Sequence, residues 1–224
     1  MRCSILVEQA DVVALIDTSP DMREQLLMTG HDWVDGALFT HSHADQAHGI
    51  DDLRVCAINR MKRVDVYGDA ETLEILGARF DYCFEGKGGY PAILDPHTLT
   101  PGQEAILTSQ DAGEMRFLPF EVDHGGCPTL GFRIGGLAYT PDIVDVPDSA
   151  AGALSDLDVW IVDALRYTPH PTHAHVEKTL GWIKRFKPKR AILTNLHVDL
   201  DYETLKAELP DGVEPAYDGM EISL

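Results

Sequence analysis

The residues with the densest chemistry lie in Thr40-His41-Ser42-His43-Ala44-Asp45-Gln46-Ala47-His48. Imidazole and carboxylate groups are ligands for zinc, iron or manganese. The stretch follows Asp35-Gly36-Ala37-Leu38-Phe39, a short apolar run that reads as a buried strand. It precedes Gly49-Ile50-Asp51-Asp52-Leu53-Arg54, which reads as a turn entering a helix. His41 and His43 therefore leave the C-terminal end of a strand. On an extended or tightly turned segment, alternate side chains point the same way. The two imidazoles can share one metal ion, while Asp45 can reach a second.

Such a loop needs a rigid scaffold. Residues 3–8 and 12–16 read as strands joined by a tight polar link. Ser19 is the expected N-cap, with Pro20 at N1, of a helix running to about Met28 and stopped by Gly30. Residues 37–40 are the strand that carries the metal loop, and a helix is expected over 50–59. A strand over 64–67 and a helix over 70–78 follow. Residues 80–101 are irregular, rich in Gly and Pro but holding Phe80, Tyr82, Phe84 and Tyr90. They read either as a cover over a site or as a surface excursion packed by its own aromatics. Strands are expected over 104–107, 115–122, 129–134, 137–140, 159–162 and 190–194. Helices are expected over 150–154, 174–186 and 202–209, the second with Val176, Leu180, Ile183 and Phe186 on one face. No linker or composition shift divides the chain, so residues 1–224 read as a single domain. Runs of strands with helices between and after them fit two packed sheets with helices outside.

A 44% apolar composition suffices for a core, and the net charge of −19 repels nucleic acid because no run of Lys and Arg offsets it. No apolar run reaches the length of a membrane span and no signal peptide opens the chain. Cys3, Cys56, Cys83 and Cys127 lack C-x-x-C spacing and read as reduced thiols of a cytoplasmic protein.

The loop resembles the H-x-H-x-D-H signature of the metallo-β-lactamase-fold hydrolases, with Gln46 where the family has His. Matching pieces follow in the family's order: Leu15-Ile16-Asp17-Thr18-Ser19, His124-Gly125, Tyr139-Thr140-Pro141-Asp142 and Leu193-Thr194-Asn195-Leu196-His197. Gly49-Ile50-Asp51-Asp52-Leu53-Arg54 and Arg166-Tyr167-Thr168-Pro169-His170-Pro171-Thr172-His173-Ala174-His175 are similar to a narrower branch, the phosphoribosyl 1,2-cyclic phosphate phosphodiesterases of phosphonate breakdown. The resemblance implies a four-layer αββα sandwich. Related proteins usually carry a further first strand before residue 1, so that strand is expected to be missing here. The edge left exposed would invite pairing with a second copy in a homodimer.

Carried over by position, His41, His43 and His124 would hold a first divalent ion, zinc or manganese. Asp45 and His197 would hold a second, with Asp142 shared by both. The implied reaction is hydrolysis of a small cyclic phosphate ester by metal-activated hydroxide. Arg54 and Arg166 would contact phosphate. His173, or failing it His175, would protonate the leaving group. Gln46 offers a neutral amide in place of an imidazole, so the second ion should be weak or absent. Two alternatives remain in view: an RNA-processing nuclease resembling ribonuclease Z, and a metal-poor member that serves as a binding or structural protein.

Overall fold

Residues 12–16 are buried at every position. They therefore show no alternation along the chain and form an interior strand. The computed structural model describes all 224 residues. The chain divides into two units, Met1–Phe117 and Leu118–Leu224, each with its own core.

In the first unit, β1 (Ile5–Gln9) pairs antiparallel with β2 (Val12–Ile16). Helix α1 (Met22–Thr29) then leads to β3 (Gly36–Leu38). The metal loop runs into the short α2 (Ala44–Ala47), a 3-10 turn at Ile50–Asp52 and α3 (Leu53–Arg60). β4 (Val64–Gly68), α4 (Ala70–Arg79), α5 (Asp81–Phe84) and β5 (Leu94–Thr98) follow. The sheet order is β1-β2-β3-β4-β5, parallel from β2 onward. Ile16 lies opposite Leu38, and Leu38 opposite Tyr67. These three strands therefore end at one level, and the segments beginning at Asp17 and Thr40 emerge side by side. Carboxyl ends of parallel strands are where such sheets bind ligands. β6 (Ala105–Thr108) pairs antiparallel with the first part of β7 (Glu114–Asp123). Leu15, Ala37, Phe39, Val66 and Leu76 are core residues of this unit.

In the second unit, residues 118–123 of β7 pair antiparallel with β8 (Pro128–Ile134), and β8 with β9 (Leu137–Thr140). β10 (Val159–Asp163), β11 (Arg190–Thr194) and β12 (Val213–Pro215) extend the sheet in parallel beside β9. Helices α6 (Val176–Phe186) and α7 (Tyr202–Glu208) separate the parallel strands. Thr140 is opposite Val162, and Asp163 opposite Thr194. The residues following these strands, Asp142 and Asn195, are thus brought beside Asp163. Trp160 is fully buried and donates its indole N–H to Thr140 Oγ1 at 3.0 Å.

Several sequence expectations shift. Helix α1 starts at Met22 rather than Pro20, because Ser19 Oγ accepts the Asp21 N–H and holds a turn there instead of capping a helix. The stretch 80–101 is not irregular throughout: it contains α5 and β5. β5 was concealed by Pro96, which is tolerated because this strand lies at the sheet edge. The expected helix at 150–154 is only a 3-10 turn over Asp148–Ala150. Helix α6 begins two residues late, at Val176. Its buried positions are Val176, Thr179 and Trp182, with Leu180, Ile183 and Phe186 packed partly buried beside them. No helix is long and apolar enough to cross a membrane.

Candidate functional site

In the first unit the metal loop hangs from Asp17. This residue is fully buried and has a left-handed φ of 66°, a conformation Asp tolerates better than most residues. Its carboxylate accepts the Thr40 backbone N–H at 2.8 Å and the Thr40 hydroxyl at 2.9 Å. The hydroxyl has a single proton and gives it to Asp17. Its oxygen is then left to accept from His41 Nδ1, 3.0 Å away. That fixes the tautomer of His41 and leaves the lone pair on Nε2.

His41 Nε2 lies 2.9 Å from His43 Nδ1. Nitrogens bound to one zinc at ~2.0–2.1 Å would lie about 2.9–3.4 Å apart for right-angle to tetrahedral geometry. The spacing therefore suits two ligands of one ion. Asp45 sits in the first turn of α2, half-buried, and joins no group of close donors. Gln46 is buried, 1% exposed. With its amide nitrogen turned toward them, it is 3.2 Å from Asp17 Oδ2 and 3.3 Å from the Cys3 carbonyl oxygen. Arg54 donates to Asp51 at 2.7 Å and lies over the Tyr82 ring. The Asp51 bond holds the guanidinium above its already high ordinary pKa.

In the second unit His124 follows directly on the end of β7 and is buried. Its Nδ1 lies 2.7 Å from the Thr172 carbonyl oxygen. A carbonyl can only accept, so Nδ1 carries the proton and Nε2 the lone pair. Nε2 is 3.9 Å from Asp142 Oδ2. Asp142 is 1% exposed and receives the Asn195 side-chain N–H on Oδ1 at 2.8 Å. His173 Nδ1 is 2.9 Å from Asp163 Oδ2 and 3.8 Å from Asp142 Oδ1. Asp142, Asp163 and His173 each offer a donor atom within 4.8 Å of the others.

Asp163 is the residue that sequence reasoning missed. Its buried strand could be read, but nothing marked its terminal carboxylate. Burial pushes the carboxyl up to about 7, against the pull of His173. Oδ2 also accepts the Ile143 N–H, whereas the buried Oδ1 has no hydrogen-bond partner. His175 stands at the N-cap of α6, outside any donor group. His197 is also outside, half-exposed, with Nδ1 3.2 Å from Asp199. Arg166 turns back on its own loop, donating to the Thr168 and Pro169 carbonyls at 3.1 and 2.8 Å.

Comparison with known proteins places the chain. The family model of the beta-lactamase superfamily domain matches residues 14–195. A solved structure described as a new diphosphatase from the PhnP family is 32% identical, with a TM-score of 0.90, covering 100% of this chain and 84% of that one. The metallo-beta-lactamase fold protein YhfI from Bacillus subtilis shares 18% identity at a TM-score of 0.77, covering 98% of this chain and 90% of that one. A curated octanoyltransferase of Porphyromonas gingivalis is 31% identical over 225 residues, covering 97% of this chain. This chain spans only 43% of that protein's length. With two mixed sheets flanked by helices, and His and Asp donors at the strand ends suited to a divalent ion, the chain belongs to the metallo-β-lactamase superfamily.

Proposed function

We propose that the chain hydrolyses a phosphodiester in a small molecule, with a cyclic phosphate sugar as the preferred substrate class. The candidate ligands of a divalent ion, zinc or manganese, are His41 and His43 in the first unit and His124 and Asp142 in the second. The donor chemistry fits: His41 and His124 each have their Nδ1 committed to a local partner, which leaves Nε2 as donor. When bound, such an ion activates water and draws charge from the phosphoryl oxygens. A second ion would call on Asp45 and His197, sharing Asp142.

The observation that carries the reading is the His173–Asp163 pair beside Asp142. Hydrolysis of an unactivated phosphodiester releases an alkoxide that needs a proton. Asp163 holds His173 through Nδ1 and so turns Nε2 outward as the donor. Asn195 donates its side-chain N–H to Asp142 Oδ1 at 2.8 Å and so fixes the carboxylate beside which His173 stands. The relative described as a diphosphatase supports phosphoester chemistry and favours a second reading, cleavage of a diphosphate.

The test is a panel of a cyclic phosphate sugar, a bis-aryl phosphate, a diphosphate ester and a tRNA precursor. It is run on metal-stripped and metal-restored protein. Metal-dependent turnover that is fastest on the cyclic phosphate supports the proposal. Preference for the diphosphate moves the assignment to the second reading, and cleavage of the tRNA precursor alone overturns both.

A further inference from the structure

Arg79 reaches the metal loop from a separate element. It is the last residue of α4. That helix is anchored at its start by Asp69, which accepts the Thr72 N–H at 2.7 Å, and along its length by the fully buried Leu76. An anchored helix delivers its terminal side chain from a fixed base. Arg79 Nη1 donates to the Ser42 carbonyl oxygen at 2.6 Å. Ser42 is buried, so this carbonyl has little water to accept from instead. The carbonyl belongs to the peptide joining Ser42 to His43. Its direction is therefore coupled to the backbone angles that aim the His43 ring. The next residue, Phe80, sets its ring edge-on to His48, with centroids 5.5 Å apart. Consecutive residues at one helix end thus hold both ends of the segment 42–48. Asp17 holds Thr40 just before it.

We propose that Arg79 is a positioning residue for the His41–His43 donor pair. Through the Ser42 carbonyl, its guanidinium keeps His41 Nε2 and His43 Nδ1 at the separation one ion requires. The inference rests on the reading that His41 and His43 bind a divalent ion. It goes beyond that reading by assigning the loop's geometry to a residue outside the motif. A charged donor to a carbonyl makes a stronger bond than a neutral one, which suits a loop that must not relax when the ion leaves.

The experiment is zinc affinity of the full chain, measured by competition with a chromophoric chelator. It is done for the wild type, Arg79→Ala, Arg79→Met and Arg79→Lys, with melting temperature recorded for each. Losing the support of a metal ligand typically lowers affinity about 10–100-fold. Arg79→Ala and Arg79→Met should show a loss of that size, and Arg79→Lys a smaller one. Added guanidinium ion should restore part of the affinity of Arg79→Ala. At saturating metal, turnover of a bis-aryl phosphate should return with KM unchanged. Arg79→Met keeps the packing of the side-chain stem and carries the test if Arg79→Ala does not fold. Wild-type zinc affinity in Arg79→Met overturns the inference while leaving the functional reading intact. So does a raised KM with unchanged zinc affinity, which would make Arg79 a substrate contact. A wild-type chain that takes up no divalent ion overturns both.

Discussion

His173 Nδ1 and Asp163 Oδ2 lie 2.9 Å apart, and Asp163 is completely buried. A carboxylate without access to water, paired with one ring nitrogen, dictates which nitrogen of His173 faces outward. His173→Ala should therefore lower turnover of a cyclic phosphate sugar about 10²–10⁴-fold, the usual contribution of a general acid. Turnover of a bis-aryl phosphate, whose leaving group needs no proton, should fall far less. Steady-state rates on both substrates check this. Equal losses would transfer the role elsewhere, with His175 next in line.

The relay from Asp17 through Thr40 to His41 makes a second prediction. Thr40→Val keeps the side-chain shape and removes the hydroxyl that accepts from His41 Nδ1. His41 can then adopt the other tautomer and lose its donor nitrogen. Metal affinity should drop about 10–100-fold, read by chelator competition, with secondary structure unchanged by circular dichroism. Undiminished affinity would show that the ring is held by its packing alone.

The strand-end positions of His41, His124, Asp142 and His197 could be read from the sequence, because each follows closely on a segment whose pattern reads as a strand. What the side chains do there could not. His197 meets Asp199, two residues on, and Arg166 its own loop carbonyls. Such short-range partners compete with any ligand and leave no mark on residue spacing. Asp163 was hidden for the opposite reason. A strand buried on both faces reads as a block of apolar residues, and a carboxylate at its end looks like the start of a loop. β5 and β12 sit at sheet edges, where few core contacts impose a pattern. Arg79 lies far from the motif and contacts it only through a backbone carbonyl, which no residue type can signal.

Asp35 sets a pH dependence of stability. It is buried, accepts the Val13 N–H at 2.9 Å and pairs with Arg60 at 2.9 Å. Burial nevertheless outweighs these partners and raises its carboxyl above the ordinary 3.8. The folded state then keeps a proton that the unfolded chain releases, so this residue's contribution to stability falls as pH rises from about 3.8 through the raised value. Asp35→Asn keeps an acceptor for Val13 and removes the charge. Its melting temperature relative to wild type should be higher at pH 6 than at pH 4, as scanning calorimetry at the two pH values would show. A constant or reversed difference would mean that the Arg60 pair, not burial, governs Asp35.

Gln46 offers the sharpest test of how many ions the site holds. A His at this position would present an imidazole nitrogen, whereas Gln presents only a neutral amide, a poor zinc ligand. Here the side chain is also buried, with its amide nitrogen 3.2 Å from Asp17 Oδ2 once turned toward it. That orientation ties Gln46 to the carboxylate that supports Thr40, on the scaffold side of the loop. The other second-site candidates are no better placed, since Asp45 and His197 join no group of close donors. One tightly held ion per chain is therefore expected, with a second that is weak or absent. In Gln46→His, one ring nitrogen can keep the bond to Asp17 while the other becomes available as a ligand. The substitution should raise both the metal content and the rate on a bis-aryl phosphate, by about 10–100-fold if it restores a full ligand. Elemental analysis after gel filtration, before and after the change, reads the stoichiometry directly. Two tightly bound ions in the wild type, with no gain from Gln46→His, would show that an amide at this position leaves the second site intact.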